Sequence, residues 1–223
     1  MLTAGKVLTR GYRLPRCPTC CLPTDACLCA LTPRLQTSIH FWILIHPEEC
    51  RKPTNTARLI SASLPQARQF LWHRTVPPTD FLTLLATPQF QPVLLYPSGN
   101  VALFEGLTQR PWLPDRLPAF VLLDGTWSQA RKMLLHSPYL HRVPQMAMRP
   151  EAPSAYALRR QIGTQHLSTV EVAIALLAQC GETRARQVLH AYFRVFMARA
   201  LAARHGHPCH QPLPELDQLL ASR

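Results

Sequence analysis

Apolar and polar positions alternate along the chain with two different periods, which predict strands and helices in turn. Apolar runs of strand length fill residues 38–46, 69–73, 92–97 and 118–127. Helical spacing appears over residues 54–64, 80–86 and 128–136. Strands that alternate with helices usually form a parallel sheet. The pattern therefore predicts an α/β fold in which helices cover both faces of a parallel sheet.

The second half of the chain is predicted to be a long loop followed by two helices. Residues 142–166 carry several arginines and show no clear period over most of their length. A loop this long is usually functional or acts as a lid. Strong helical patterns follow over 168–180 and 183–206. The remaining tail, 207–223, contains prolines and is expected to be peripheral.

Cysteines set the first 33 residues apart as a small module, before an α/β core over 34–206. Five of the eight cysteines lie within residues 17–29. Cys17 and Cys20 form Cys-x-x-Cys, and Cys27 and Cys29 form Cys-x-Cys, so four thiolates could surround one tetrahedral zinc. The prolines of this segment oppose the helix that a redox Cys-x-x-Cys normally begins. A zinc site is predicted, with Cys21 as a possible substitute for Cys20 and a vestigial site as the alternative.

The charge of the chain predicts a polyanionic partner. Lys and Arg together number 24 against 12 acidic residues, which gives a net charge of +12 and a pI near 9.9. Such values are typical of nucleic-acid binders. A GC-rich genome would explain the preference for arginine over lysine, but it would not explain the shortage of acids.

Several classes of protein are disfavoured. No apolar run is long enough to span a membrane, and residues 1–16 lack the apolar segment of a secretory signal, so a soluble cytoplasmic protein is expected. Neither a G-x-G-x-x-G sequence nor a Walker A sequence occurs. This argues against a dinucleotide site or a P-loop. No protein partner is evident, and a monomer is expected.

Asp124 is the first candidate for chemistry. It ends the apolar run 119–123, and open α/β sheets bind their ligands at the carboxyl ends of strands. Thr126 and Gln129 have the spacing of a capping box, so a helix should begin near Trp127 with its positive end beside the carboxylate. The alternative is an ordinary turn from strand to helix with Trp127 in the core.

Other polar residues are expected at the same edge of the sheet. Tyr96, Pro97 and Ser98 end a predicted strand, and Ser168 to Glu171 open a helix with a second capping box. If these segments converge with Asp124, backbone groups there could bind a small cofactor. The stretch from His46 to Thr56 follows the first strand, so its charged residues could face the same cleft. The alternative is that Thr54 or Asn55 only caps a helix and that the charges are solvated, and this alternative is preferred for Glu49 and Lys52. His46 is interpreted as a structural residue.

Seven short motifs in order resemble the DTW-domain family. They are the cysteine cluster, FWILIHPEE, Asn55-Thr56, LLYPS, LLDGTWSQARKM, YALRRQ and LSTVEV, which together cover roughly residues 17–180. Asp124, Thr126 and Trp127 match the Asp-x-Thr-Trp motif that names the family. The resemblance implies a SPOUT-like, knotted α/β core and a tRNA-uridine aminocarboxypropyltransferase acting in the tRNA variable loop.

The resemblance also implies a donor and roles for residues. S-adenosylmethionine would give its aminocarboxypropyl group to uridine N3 and leave as methylthioadenosine. Asp124, Thr126 and Trp127 are the catalytic candidates, with Asp124 as the base for N3 and Trp127 against the extruded base or the cofactor. The expected cofactor contacts are Tyr96, Pro97, Ser98, Asp124, Gly125, Ser168, Thr169 and Glu171. The expected tRNA contacts are Arg51, Lys52, Arg131, Lys132, Arg159 and Arg160.

Two other functions remain open at this point. A SPOUT-type RNA methyltransferase would use the same cofactor but release adenosylhomocysteine. A non-catalytic zinc-ribbon RNA-binding protein would explain the charge and the cysteines, yet it leaves the Asp124–Trp127 motif without a purpose.

Overall fold

The computed structural model describes residues 15–96, 113, 115–148, 152–158 and 167–221, which form a parallel sheet with flanking helices. The strands are β1 (His40–Ile45), β2 (Ala67–Leu71), β3 (Phe90–Leu95), β4 (Leu117–Asp124) and β5 (Gln145–Met146). The helices are α1 (Pro47–Cys50), α2 (Ala57–Ser63), α3 (Thr79–Ala86), α4 (Trp127–Leu135), α5 (Thr169–Gln179), α6 (Thr183–His205) and α7 (Pro214–Ala221). Short 3₁₀ turns occupy Thr24–Ala26, Cys29–Leu31 and Pro138–Leu140.

The five strands are all parallel and lie in the order β2-β1-β4-β3-β5. The central strand β4 pairs with β1 on one side and β3 on the other, with Ile45 opposite Asp124 and Leu95 opposite Leu122. The carboxyl ends of these three strands therefore meet at one edge of the sheet. This is the edge at which α/β sheets bind ligands.

Alternate side chains of the strands enter two separate cores. Phe41, Ile43 and Phe120 lie on one face, in a cluster that includes apolar residues of α2, α5 and α6. Trp42 and Val121 lie on the other, with apolar residues of α3 and α4. A strand buried on both faces has a nearly continuous apolar sequence, which is the pattern seen for β1 and β4. The predicted α/β fold with helices on both faces is confirmed.

Several elements differ from the prediction. β3 lies two residues earlier than the predicted run 92–97, and β4 ends at Asp124, three residues before the end of the predicted run 118–127. The segment after β1 forms the short helix α1. β2 begins at Ala67 and ends at Leu71, two residues earlier than expected, although Trp72 still donates its backbone N–H to Ile45 O at 2.9 Å. The two-residue β5 lies inside the predicted loop; it is too short to have a period and is defined by pairing with Leu94 and Leu95. The tail contains α7, which buries Leu219 against the core that includes α6.

The cysteine-containing segment packs on α6 and shares its core. Leu22, Ala26 and Leu28 belong to the same apolar cluster as the inner face of α6. Thr32 and Tyr192 share a hydrogen bond of 2.9 Å between their hydroxyls. The tail reaches this segment too, with His210 Nε2 2.7 Å from Asp25 O.

Within the residues described, no helix is both long and apolar enough to cross a membrane.

Candidate functional site

Asp124 lies at the end of the central strand with its carboxylate almost fully buried, at 4% exposure. Oδ1 accepts a hydrogen bond from Thr169 Oγ1 at 2.5 Å, and Oδ2 accepts one from Asn55 Nδ2. Its backbone carbonyl accepts from His46 N at 2.9 Å, which continues the pairing with β1. Two neutral donors therefore hold the carboxylate beside the start of α5, where the helix dipole favours negative charge.

Asn55 holds its side chain in one orientation. Its Oδ1 accepts from Ala57 N at 2.9 Å at the start of α2, so its Nδ2 faces Asp124. The preceding loop is also fixed, because Arg58 donates to Asn55 O at 3.0 Å and to Lys52 O at 2.8 Å. The N-cap of α2 is Thr56, one or two residues later than predicted, and its side chain makes no capping hydrogen bond. The Asn55 side chain instead accepts from the first N–H of α2 and donates to the carboxylate.

The turn after Asp124 is tight and capped. Thr126 Oγ1 accepts from Gln129 N at 3.3 Å, and Gln129 Oε1 accepts from Thr126 N at 2.7 Å, which completes the predicted capping box. A Cβ on Gly125 would lie 3.0 Å from Gln129 Cβ, so a larger residue there would push against α4. Gln129 also donates to Glu48 Oε2 at 2.6 Å, which ties α4 to α1.

Trp127 is on the outside of this turn, not in the core. Its side chain is 44% exposed and meets the half-buried ring of Tyr96 edge to face at 6.0 Å between centroids. Tyr96 follows the end of β3 and donates its backbone N–H to Met146 O at 2.9 Å. An exposed indole next to a buried carboxylate gives an aromatic surface on which a planar base can stack.

Glu171 connects the start of α5 to the loop 152–158. Its carboxylate accepts from Ser168 N and Ser168 Oγ, both at 2.7 Å. It also accepts from Ala155 N at 2.7 Å and Ser154 Oγ at 2.8 Å. Four donors occupy the two oxygens, so Glu171 shapes the site through the loop.

The same loop contacts the segment that carries Asn55. The Tyr156 hydroxyl donates to Thr54 O, and Val170 N donates to Thr56 Oγ1 at 3.3 Å. The start of α5, the loop 152–158 and the loop before α2 therefore enclose Asp124 as one hydrogen-bonded unit.

Two titratable groups of α1 and its cap lie next to Asp124. The pKa of the Cys50 thiol is raised, first by burial and then by the negative charge of Asp124. His46 stacks on Trp72 at 5.6 Å between centroids, and its Nδ1 accepts from Glu48 N at 3.3 Å. This bond leaves Nε2 as the protonated nitrogen of the neutral ring.

The cationic candidates lie in two places. Arg131 and Lys132 are exposed on α4, and Arg131 follows Trp127 by four residues, on the same side of the helix. Arg51 is exposed at the end of α1, whereas Lys52 is half-buried and forms an ion pair of 2.6 Å with the buried Glu49. The other predicted contacts, Pro97, Ser98, Arg159 and Arg160, lie outside the described residues.

The four predicted zinc ligands converge. The sulfur atoms of Cys17, Cys20, Cys27 and Cys29 all lie within 4.8 Å of one another. The Cys17–Cys29 sulfurs are 3.5 Å apart and the Cys20–Cys27 sulfurs 3.9 Å apart. Zinc–sulfur bonds of about 2.3 Å in a tetrahedron place sulfurs about 3.8 Å apart. The donor set and its spacing fit zinc, and Cys21 is not part of it.

The electrostatics of the cluster also suit a cation. Burial alone would raise the pKa of Cys17. Hydrogen bonds from the backbone N–H groups of Cys20 and Thr19 and from the neighbouring thiols together outweigh burial and lower this pKa to about 6. Burial and hydrogen bonds with Cys17 and Cys27 raise the pKa of Cys29 to about 12. Adjacent thiols do not all ionise together unless a cation balances their charges.

The contacts that three residues make at these two sites were not predicted from the sequence. Asn55 was considered as a helix cap and as part of a family motif, but its contact with Asp124 was not predicted, although its position after β1 could have suggested it. Tyr156 lies in the predicted loop, where no periodicity singles it out. Arg199, buried on α6, donates to Cys27 O, and only the fold brings it to the cysteine cluster.

Comparisons with known proteins identify the family of this chain. A family model described as the DTW domain matches residues 14–201. Three curated relatives are each named tRNA-uridine aminocarboxypropyltransferase 2. The Mus musculus protein is 32% identical over 180 residues, which are 78% of this chain and 59% of that protein. The Macaca fascicularis protein is 30% identical over 176 residues, 74% and 56% of the two chains.

The third relative, from Drosophila melanogaster, is 31% identical over 175 residues, which are 74% of this chain and 66% of that protein. This chain therefore spans between 56% and 66% of the length of the three relatives. No solved structure matches the chain.

Proposed function

We propose that this chain, which belongs to the DTW-domain family, is a tRNA-modifying transferase. In this proposal it moves the 3-amino-3-carboxypropyl group of S-adenosylmethionine to N3 of a uridine in the tRNA variable loop. The observation that carries the proposal is the buried Asp124 carboxylate, which lies in the Asp-x-Thr-Trp motif at the end of the central strand. The names of the relatives support the choice of reaction.

The reaction needs a base. Uridine N3 attacks the methylene carbon beside the sulfonium, so an N–C bond forms and a C–S bond breaks. The electrons of the C–S bond leave with sulfur as methylthioadenosine, and N3 loses its proton. That proton is only weakly acidic, so a positioned carboxylate accelerates its removal. We assign this step to Asp124.

The residues around Asp124 have complementary roles in the proposal. Thr126 begins α4, and Trp127 stacks the extruded uracil or forms a wall of the donor pocket. Tyr96, Pro97, Ser98, Gly125, Ser168, Thr169 and Glu171, together with Asp124, form the donor site. The convergence of three strand ends with the start of α5 supports this placement.

The tRNA contacts are assigned to cations near the same edge. Arg131 and Lys132 are exposed on the helix that begins at Trp127, and Arg51 is exposed on α1. The half-buried Lys52, already paired with Glu49, and the two arginines at 159 and 160 complete the proposed set. A net charge of +12 supports binding to a polyanion.

We also propose that the four-cysteine cluster binds one structural zinc and that the core is SPOUT-like and knotted. Zinc would fix the fold of the N-terminal segment against α6 and would have no part in the transfer. The all-parallel sheet, in which β4 lies between β1 and β3, supports the core assignment.

Product analysis tests the proposed function. The protein is incubated with labelled S-adenosylmethionine and tRNA that lacks the modification, and nucleosides and small molecules are identified by mass spectrometry. The expected products are aminocarboxypropyluridine and methylthioadenosine. Adenosylhomocysteine with a methylated nucleoside would indicate a methyltransferase instead, and failure to bind the donor would indicate a non-catalytic RNA-binding protein.

A further inference from the structure

We propose that Asn55 is a positioning residue which makes Asp124 receive the uridine proton on Oδ1, while the Thr169 hydroxyl turns from donor to acceptor. This inference rests on the proposed function, because it assigns atoms to the proton transfer of that reaction. It follows from the difference between the two donors that hold the carboxylate.

Asn55 is fixed as a donor. Its backbone N–H donates to Lys52 O at 3.0 Å, and its backbone carbonyl accepts from Arg58 Nε at 3.0 Å. Its side-chain oxygen accepts from Ala57 N at 2.9 Å. Turning the amide would place NH₂ against the N–H of Ala57, so the side chain cannot reverse without losing two hydrogen bonds. Asp124 Oδ2 therefore always faces an N–H group.

Thr169 is free to change its role. A hydroxyl both donates and accepts, and its proton rotates about the C–O bond. Thr169 donates to Asp124 Oδ1 while the carboxylate is ionised. A proton on Oδ2 would oppose the N–H of Asn55, whereas a proton on Oδ1 can be accepted by the turned Thr169 hydroxyl. The transfer thus moves one proton from N3 to Oδ1 and requires no other group to gain or lose one.

Other titratable and charged groups lie on the helices and the loop around Asp124. They are His46 and Cys50 on α1 and its cap, Arg58 on α2, Tyr156 in the loop 152–158, and Glu171 on α5. Glu171 accepts four hydrogen bonds of its own, and Arg58 is engaged with two carbonyls. Asn55 and Thr169 each donate a hydrogen bond to one oxygen of the carboxylate, so they are the pair of residues to change.

Asn55→Asp separates positioning from helix capping. Aspartate has the same shape and caps a helix as well as asparagine, so a purely structural residue would tolerate it. If Asn55 positions Asp124, the change places two carboxyl groups in contact, and they must share a proton. We expect the single-turnover rate at neutral pH to fall about 10- to 100-fold and the acidic limb of the pH–rate profile to move up by more than one unit.

Thr169 provides the matched pair of variants. Thr169→Ser keeps the hydroxyl and should lose less of the single-turnover rate than Thr169→Val. Thr169→Val keeps the shape but removes the acceptor, and at saturating donor we expect a single-turnover rate about 10-fold below that of Thr169→Ser. Equal rates for the serine and valine variants would overturn the assignment of the proton to Oδ1.

Carbon-13 NMR of the aspartate carboxyl groups tests the role of Asn55 independently of whether the protein catalyses the proposed reaction. The chain has five aspartates, and Asp124→Asn identifies the signal of Asp124. Without tRNA or donor, Asn55→Asp should move the titration of that signal to higher pH. A wild-type protein that makes no product would refute the proposed function while this titration still tests Asn55. An unchanged titration and an unchanged pH–rate profile would refute the role of Asn55.

Discussion

A carboxylate that loses its water costs several kcal/mol unless protein donors replace that water. Asp124 receives one donor from Asn55, which precedes α2, and the other from Thr169, the first residue of α5. Both of these donors are uncharged, one an amide and the other a hydroxyl. Such an arrangement holds a charged group in place and still leaves it able to accept a proton.

At the same scale, Cys21 has a backbone conformation that suits glycine. Its φ of 59° lies in the left-handed region, where a Cβ costs about 1–2 kcal/mol. Its thiol is not among the four converging sulfurs. Cys21→Gly should raise the free energy of unfolding by up to about 1 kcal/mol and leave the metal content unchanged, measured by urea denaturation and elemental analysis.

Cys20→Ser is the control for that prediction, because it removes a sulfur from the cluster. Zinc content should fall, and the melting temperature should fall with it. Zinc retained by Cys20→Ser and lost from Cys21→Gly would contradict this assignment and identify Cys21 as the ligand.

Residues whose partners are close in the chain could be predicted from the sequence, and the others could not. The four cysteines lie within 13 residues, and Thr126 and Gln129 are three apart, so their spacing alone indicated the contacts. Asn55 and Asp124 are 69 positions apart. Since Asn55 also accepts from the first N–H of α2, its local role explained the residue fully and concealed the distant one.

The first turn of α5 is connected to the loop 152–158 through Glu171. Glu171 accepts hydrogen bonds from Ser168, Ser154 and Ala155, so it both caps α5 and ties the loop 152–158 to the start of that helix. Glu171→Ala should lower stability by about 1–3 kcal/mol. It should also speed backbone hydrogen exchange in the loop and weaken donor binding, as measured by mass spectrometry and calorimetry.

Glu182→Ala is the matched control for this element. Glu182 precedes α6 and accepts from Ser38 N and Ser38 Oγ, both at 2.7 Å, at the other end of the sheet. Glu182→Ala should lower the free energy of unfolding by a similar amount, without changing hydrogen exchange in the loop 152–158 or donor binding. If both variants weakened donor binding equally, the effect of Glu171 would be one of general stability.

Helices and strands were predicted correctly where the element is long enough for its pattern of apolar positions to repeat. β1, α5 and α6 each bury a regular series of apolar side chains, and each was predicted close to its observed bounds. β5 has two residues and exists because β3 offers it an edge. α7 is short and follows a proline-containing segment, and only its packing on α6 identifies it.

For the whole molecule, the distribution of charge should decide how tRNA docks. Arg131 lies next to Trp127, whereas Arg186 is near the start of α6, at the end of the sheet opposite Asp124. The logarithm of tRNA affinity should fall linearly with the logarithm of salt concentration. Arg131→Ala should reduce that slope by about 0.7 to 0.9, the contribution of one phosphate contact.

Arg186→Ala is the control, and it should leave the slope of the salt dependence unchanged. Both arginines are exposed, so the comparison is not disturbed by burial. A larger effect from Arg186 than from Arg131 would place the tRNA on the opposite end of the molecule and would contradict the proposed docking.

The most direct test of the account is the single-turnover rate of Asp124→Asn at saturating S-adenosylmethionine. Asparagine can keep both neighbours, because its oxygen can face Asn55 and its NH₂ can face the Thr169 hydroxyl, so donor affinity measured by calorimetry should change little. Without the base, the rate should fall roughly 10²- to 10⁴-fold and recover partly as pH rises. A variant that binds the donor normally and transfers the aminocarboxypropyl group at nearly the wild-type rate would contradict the role of Asp124.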